Sequence, residues 1–418
     1  MTVLGAIADD FTGATDLAGN WRSRGLSTAV VLGVPEADGL DALRAHDAVV
    51  IALKIRSVRA EKAVAEVREA AAVLRELGCT QVYDKYCSTF DSTPEGNIGP
   101  IADALLEETG ARVAVVVPGF PDAGRTVYKG HLFVGNDPLD RSSMRDHPLN
   151  PMWDSRVSAL LSAQTPHAVA EVHVDVVKRG AAAVREAIDA AGARGARYVV
   201  VDSIDGADLR TIATATRDDP LVTGGSGLAL GAEAKRVAPT DLAGIRGRRV
   251  VLAGSASRAT QAQVQDARRT MSSRKLDVRA LVDDMAGEEQ RLLDWVVERW
   301  SEDADRPVML YSVGDVDDVA AGRGASPHAS ELIETLYSRL APRLADAGAS
   351  QLIVAGGETS GSVSQGLGIS VLEVGQLLSP GVSWLRGRRR AAPDVNLVLK
   401  SGNFGDVDLF SSAWERLA

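Results

Sequence analysis

The strongest constraint on how this chain folds is an alternation. Short β-branched runs recur at VLGAIA (3–8), TAVVLG (28–33), AVVIAL (48–53), QVYD (81–84), RVAVVV (112–117) and RYVVVD (197–202), separated by Ala/Arg/Glu-rich segments of helical period. Strands apolar on both faces must be covered on both sides, which is the demand a parallel sheet under crossover helices meets. The clearest helix starts at Ala60. Its Val64, Val67, Ala71, Leu74 and Leu77 repeat at three and four residues, and Gly78 supplies a stop. From Pro118 to about Trp153 the pattern turns irregular and rich in Pro, Gly, His and Asp, as binding loops are.

Past the strand at 197–202, periodicity breaks in VAPTDLAGIRGRR (237–249), and apolar runs restart with VVLAGSAS, VMLYSV, QLIVAGGETSG, SVLEV and NLVLKSGN. At 418 residues the chain has room for two or three domains of ordinary size. The expected architecture is two α/β domains with largely parallel sheets facing a central cleft, one over 1–238 and one over 248–418. The basic run GRRRAAPD (387–394) reads as a solvated turn, and no repeat of fixed period is visible.

Charge and cysteine content narrow the function. The 46 basic and 56 acidic residues leave a formal charge of −10, which argues against a nucleic-acid or anionic-membrane binder and for a small-molecule partner. Cys79 and Cys87 are too few for a disulfide framework and lack zinc-site spacing. No apolar run approaches the roughly 18 to 20 residues that cross a bilayer. The first residues, MTVLGAIADD, lack the basic segment of a targeting peptide. A reducing, cytoplasmic location is expected.

Chemistry-bearing residues gather where strands run into helices. Asp9, Asp10, Thr12 and Asp16 crowd the first βα turn, in ADDFTGATD, where an open α/β sheet places its ligands. Helix capping, with Thr12 as N-cap, accounts for one aspartate and leaves the adjacent pair unexplained. A second group, YDKYCSTFDSTPEGNIGP (83–100), offers Lys85, Ser88 and Asp91, which suit an anionic, hydroxylated ligand. Ser92 and Glu95 there have capping-box spacing, yet Gly96, Asn97, Gly99 and Pro100 make a poor first helical turn. A third segment carries Arg125, able to fork onto a carboxylate, and His131, able to shuttle a proton.

Four Gly/Ser turns follow strands: Gly225 and Ser226 in TGGSG, Ser255 and Ser257 in AGSASR, GGETSG (356–361), and KSGN (400–403). Exposed amides at such turns receive phosphate oxygens. Neither a Walker A sequence nor a complete GxGxxG is present, so the nucleotide class is not legible from a fingerprint.

These motifs, in this order along the whole chain, resemble the four-carbon acid sugar kinases: IADDFTGATD (7–16), VTGGSG (222–227), LAGSASRAT (252–260), GGETSG (356–361) and KSGNFG (400–405). KYCSTFDSTPEGNIGP (85–100), GRTVYKGHLFVG (124–135) and the Met144, His147, Pro148, Leu149, Pro151, Met152 region are similar to its 3-oxo-tetronate 4-kinase branch. The resemblance implies an amino-terminal domain for the acid and a carboxyl-terminal domain for ATP. The γ-phosphoryl group would pass to the terminal 4-hydroxyl of a 3-oxo-tetronate, with ATP and Mg2+ as cofactors. A threonate or erythronate kinase of the same family, an actin-like sugar kinase, a sugar-acid binding protein without catalysis and a dinucleotide-dependent oxidoreductase are the alternatives. A helical reading of Gly13 to Arg24 counts against the actin-like option. The resemblance carries nucleotide contacts to Ser257, to Gly357, Glu358, Thr359 and Ser360, and to Gly402, with Ser255, Gly356 and Ser401 as neighbours. Asp10 is the expected base, with Asp9 or Asp91 as substitutes, and Lys85 and Arg125 would meet the substrate carboxylate or transferring phosphoryl group. Thr12, Asp16, Ser88, His131, Gly225 and Ser226 would line the acid site. Metal ligands stay unassigned, and a homo-oligomer is compatible with all of this.

Overall fold

The computed structural model describes residues 4–35, 40–145, 150–233, 241–390 and 392–417. His147, Pro148 and Leu149, part of the family segment, and the 234–240 stretch of the expected linker lie outside them. The chain separates into two units, Met1–Pro239 and Thr240–Ala418.

In the first unit the strands are β1 (Leu4–Ala8), β2 (Thr28–Leu32), β3 (Ala48–Ala52), β4 (Gln81–Lys85), β5 (Ala114–Val117), β6 (Arg125–Tyr128), β7 (His131–Val134), β8 (Asp137–Pro138), β9 (Ala168–Val172), β10 (Ala196–Val201) and β11 (Leu221–Gly224). Its main sheet runs β2-β3-β1-β4-β11-β5-β10-β9, and every pairing is parallel. Every β3 residue is buried, as an apolar run covered on both faces must be. The chain leaves β1 toward β2 on one side and then crosses to β4 on the other. That reversal makes the carboxyl ends of β1 and β4 a topological switch point.

The segment expected to be irregular loop is partly ordered. β6, β7 and β8 form a separate antiparallel sheet, paired over four residues between β6 and β7 and two between β7 and β8, too short to show as a pattern among Pro and Gly. The capping-box spacing of Ser92 and Glu95 starts no helix, but Gly99 and Pro100 do enter one. The helix begins later, at Ile98, takes Gly99 and Pro100 into its first turn, and has Asn97 at its N-cap position. Ser92 instead accepts a hydrogen bond from Gln164 Nε2 at 3.0 Å. Gly99 is required by close approach, because a Cβ there would meet the Gln164 carbonyl oxygen at 2.5 Å. The helix from Ala60 runs to Glu76 as expected, with Gly78 in the left-handed region (φ 83°).

In the second unit the strands are β12 (Arg248–Ala253), β13 (Ser272–Lys275), β14 (Val308–Tyr311), β15 (Ala349–Ala355), β16 (Ile369–Ser379), β17 (Val382–Arg389) and β18 (Val395–Lys400). The order is β13-β14-β12-β15-β18-β17-β16, parallel except for the antiparallel β16–β17 and β17–β18 pairings. The first four strands of each unit therefore share one order, second-third-first-fourth, although the sequence shows no repeat. Trp384 and Trp414, ring centroids 5.8 Å apart, sit in the core of this unit. The basic run at 387–394 is not a solvated turn throughout. Gly387, Arg388 and Arg389 lie in β17, where Arg388 pairs with Glu373 and Asp394 at 2.6 Å each. Residues 242–245 are held to this unit by side-chain amides: Leu242 N donates to Gln376 Oε1 (3.0 Å) and Ile245 N to Asn396 Oδ1 (2.7 Å).

Candidate active site

At the switch point of the first unit, β1 ends and the helix Phe11–Ser23 begins within three residues. Asp10, in place of the expected Thr12, is the N-cap, accepting the Gly13 N–H at 2.5 Å. An aspartate suits that position because the helix dipole favours negative charge at the amino end. Thr12 is buried in the first turn.

The adjacent aspartates are gathered by a residue the sequence reading passed over. Arg56 donates from Nε and Nη2 to both oxygens of Asp9 (2.7 and 2.8 Å), and its Nη1 lies 2.8 Å from Asp10 Oδ2. Arg56 follows β3, and its backbone N–H donates to the Asp9 carbonyl at 3.2 Å. The legible signal was a cation just past a strand that pairs with β1. Burial would raise the Asp10 carboxyl, but Arg56, Lys85, the Gly13 N–H and Thr12 together hold it below the usual carboxylate range. The Arg56 guanidinium is kept firmly charged by Asp10 and Asp9 against its own burial.

Lys85, the last residue of β4, is buried and donates to the Tyr86 carbonyl at 2.8 Å. Asp16 lies six residues past Asp10 in the helix that Asp10 caps, with Oδ2 accepting from the Ser226 hydroxyl and Oδ1 buried without a partner. Burial pushes Asp16 up to about 6 and Asp10 adds to this, while Lys85, Ser226 and Arg125 pull the other way. Asp84, also passed over, is buried with an unpartnered Oδ2. Burial and nearby Asp9 raise its carboxyl well above the ordinary value, against Lys85. Asp84, at the end of β4, is pushed up and Asp10, just past β1, is held down, so two nearby carboxyls are driven apart by environment.

The GGSG turn packs tightly from the other side. A Cβ on Gly225 would meet the Pro118 carbonyl oxygen at 2.6 Å and Ser88 Cβ at 3.1 Å, so Gly225 and Ser88 abut. Tyr83 donates its hydroxyl to the Gly225 carbonyl, and Asn20 Nδ2 donates to the Ser226 carbonyl at 2.9 Å. The loop after β4 carries backbone strain at buried Phe90 (φ 50°), stacked edgewise on Tyr86 at 5.3 Å. Asp91 is buried one residue further on. Arg125 opens β6 and acts on the Asp16 charge. His131 opens β7 with Nδ1 3.0 Å from Ser155 Oγ, and none of its described contacts reaches the aspartates.

In the second unit the ends of β12, β15 and β18 come together at the corresponding switch point. Gly254 N donates to the Ala355 carbonyl (2.9 Å) and Gly356 N to the Lys400 carbonyl (2.9 Å). Ser257 is the N-cap of the helix Arg258–Ala267, accepting from Thr260 N at 3.2 Å, and donates to the Gly402 carbonyl at 2.5 Å. Ser255 Oγ accepts from Ser257 N at 3.1 Å. The helix Gly357–Gly366 starts with no side-chain cap, with Gly356 at φ 125°. Gly357 and Glu358 are exposed, whereas Thr359 and Ser360 are buried. A Cβ on Gly402 would lie 2.3 Å from Ser255 Oγ, and one on Gly254 2.2 Å from Thr359 Oγ1. The turns are a close-packed cradle of main chain and hydroxyls, the donor set a polyphosphate takes. Among the described residues, no group of three or more His, Cys, Asp or Glu is placed to hold a metal ion, and no helix is long and apolar enough to cross a membrane.

Comparison with known proteins agrees with this division. A sugar-binding N-terminal domain model matches residues 4–232, and a nucleotide-binding C-terminal domain model matches residues 250–410. The 3-oxo-tetronate kinase of Pectobacterium atrosepticum is 43% identical over 435 residues, covering 100% of each chain. That of Burkholderia multivorans is 42% identical over 430 residues, covering 99% of this chain and 97% of its own. Among solved structures, a Salmonella typhimurium protein described as a tRNA synthase superposes with TM-score 0.90 at 41% identity, covering 100% of both chains. A Haemophilus influenzae protein superposes with TM-score 0.82 at 39% identity, covering 99% of this chain and 100% of its own. The molecule is an α/β kinase that uses ATP to phosphorylate an alcohol. It belongs to the four-carbon acid sugar kinase family.

Proposed function

We propose that this chain is a cytoplasmic 3-oxo-tetronate 4-kinase, with the acid bound by the first unit and ATP by the second. The observation that carries the substrate is end-to-end similarity, at 42 and 43% identity, to relatives named for that activity. The first unit's chemistry fits a short anionic polyol: Lys85 and Arg125 supply positive charge for its carboxylate or the incoming phosphoryl group, and Ser88, Thr12 and Ser226 supply hydroxyls. Phosphoryl transfer requires positioning and charge neutralisation more than covalent help. Asp10, ionised and fixed by Gly13 N–H and Arg56, is placed to orient the 4-hydroxyl and take its proton as the bond to phosphorus forms. Asp9 holds Arg56 in place, and Asp91 is the substitute base.

In the second unit, Ser255, Ser257, the turn from Gly356 to Ser360 and Gly402 hold the phosphates. Mg2+ arrives with ATP. It is carried by the phosphates and water, with room for one or two carboxylates of the protein. The product is tested by incubating the enzyme with freshly generated 3-oxo-tetronate and ATP and following phosphorus-31 and carbon-13 NMR. A phosphate ester on C4 supports the reading; an ester on C2, or none, overturns it.

A further inference from the structure

We infer that Lys400 is a positioning residue for the nucleotide turns: its buried side chain ties the 401–406 turn to the amino end of the helix Arg258–Ala267 without reaching the ligand. A lysine closing a strand ahead of Ser-Gly-Asn has the sequence look of a phosphate-binding lysine. The structure places it elsewhere. Lys400 has no solvent-exposed surface, and its Nζ donates to Thr260 Oγ1 (2.9 Å), Gln263 Oε1 (2.8 Å) and the Gly402 carbonyl (3.1 Å).

Three acceptors for three protons is the full complement of an ammonium group. Each acceptor is itself fixed. Gln263 points its oxygen at Lys400 because its Nε2 faces the carbonyls of Phe404, Gly405 and Asp406 at 3.1, 3.0 and 3.0 Å. The Gly402 carbonyl also accepts from Ser257 Oγ (2.5 Å) and Thr260 Oγ1 (2.9 Å). Lys400 therefore sits behind the two residues to which the proposed function gives phosphate contacts, Ser257 and Gly402, and joins the segments that carry them. A purely packing role beside the Phe410 ring, 5.8 Å away, would be served by an apolar side chain. Instead the buried side chain ends in an amine with three acceptors in reach, and burial pushes that amine down to about 7.

The inference rests on ATP binding in the second unit, and the test separates the two. The full-length Lys400→Met variant keeps the length of the side chain and removes its three donors. Steady-state kinetics with each substrate varied should show KM for ATP raised about tenfold, with kcat and KM for the sugar acid within about twofold. A hundredfold fall in kcat at unchanged KM would instead put Lys400 on the reacting phosphate. A lowered melting temperature with unchanged KM would make it only structural. Either result overturns the inference. If Lys400→Met does not fold, Thr260→Val, which removes the shared hydroxyl, must itself raise KM for ATP selectively; an unchanged KM there overturns it equally. Photolabelling of the wild-type enzyme with azido-ATP checks the underlying reading. Label within residues 241–417 with unchanged KM in the variants refutes Lys400 alone, whereas label within 1–233 refutes the nucleotide assignment as well.

Discussion

Arg56 grips Asp9 through two parallel hydrogen bonds of 2.7 and 2.8 Å while its third nitrogen reaches Asp10, so one guanidinium makes two adjacent carboxylates tolerable in a single turn. Arg56→Ala should strand a nearly buried Asp9 and lower the unfolding free energy by about 3 kcal/mol, read from urea denaturation. Arg56→Lys should recover little, because a single ammonium cannot reproduce the fork. Full stability in either variant would show the bridge to be incidental.

Asp10→Asn removes the charge but keeps an oxygen for the Gly13 N–H. It should lower kcat about a hundredfold with KM for ATP nearly unchanged. Near wild-type turnover would remove Asp10 from the reaction.

Asp16 gives a pH signature with a definite sign. Its folded value, about 6, lies above the ordinary 3.8, so between those values the folded state binds more protons than the unfolded state. Its contribution to stability falls as pH rises through that window, and the cost of the buried charge is complete above about pH 6. Asp16→Asn should therefore flatten the dependence of melting temperature on pH between about 4 and 6 and match or exceed wild-type stability at pH 7, while activity drops. An unaltered pH profile of stability would show that another group titrates there.

Ser257→Ala removes both a helix cap and a hydroxyl of the proposed phosphate cradle. Kinetics should show a raised KM for ATP, and thermal unfolding a loss of about 1 kcal/mol. If only the sugar-acid KM moved, the two units would have exchanged roles.

Gly402→Ala should be more severe at the same site, because the added methyl would stand 2.3 Å from Ser255 Oγ and 2.9 Å from Ser257 Oγ. Calorimetric titration should find ATP binding lost or weakened with sugar-acid binding retained.

Much of this was legible in the residues. Apolar runs buried on both faces mark parallel strands, and the Asp9-Asp10 and Gly356-Gly357 clusters mark where strands end. What escaped depended on partners distant in sequence. Arg56 means little until β3 pairs with β1, and Asp84 looks like any strand-end carboxylate until burial is seen to raise it. Lys400 is indistinguishable from a phosphate-binding lysine until its side chain is seen to turn inward. The shared strand order of the two units also lies below the sequence's resolution, since backbone order survives where side-chain identity does not. The β13 strand, Ser-Ser-Arg-Lys, carries no apolar signal at all.

The central claim is that this enzyme moves a phosphoryl group from ATP to a four-carbon 3-oxo acid. It is tested most directly by kcat/KM from coupled ADP release across tetronates with and without the 3-oxo group. The account predicts ADP formation that depends on the acid and is fastest with 3-oxo-tetronate. ADP release no faster with any four-carbon acid than without one would contradict it, and a preference for threonate or erythronate would contradict the substrate assignment.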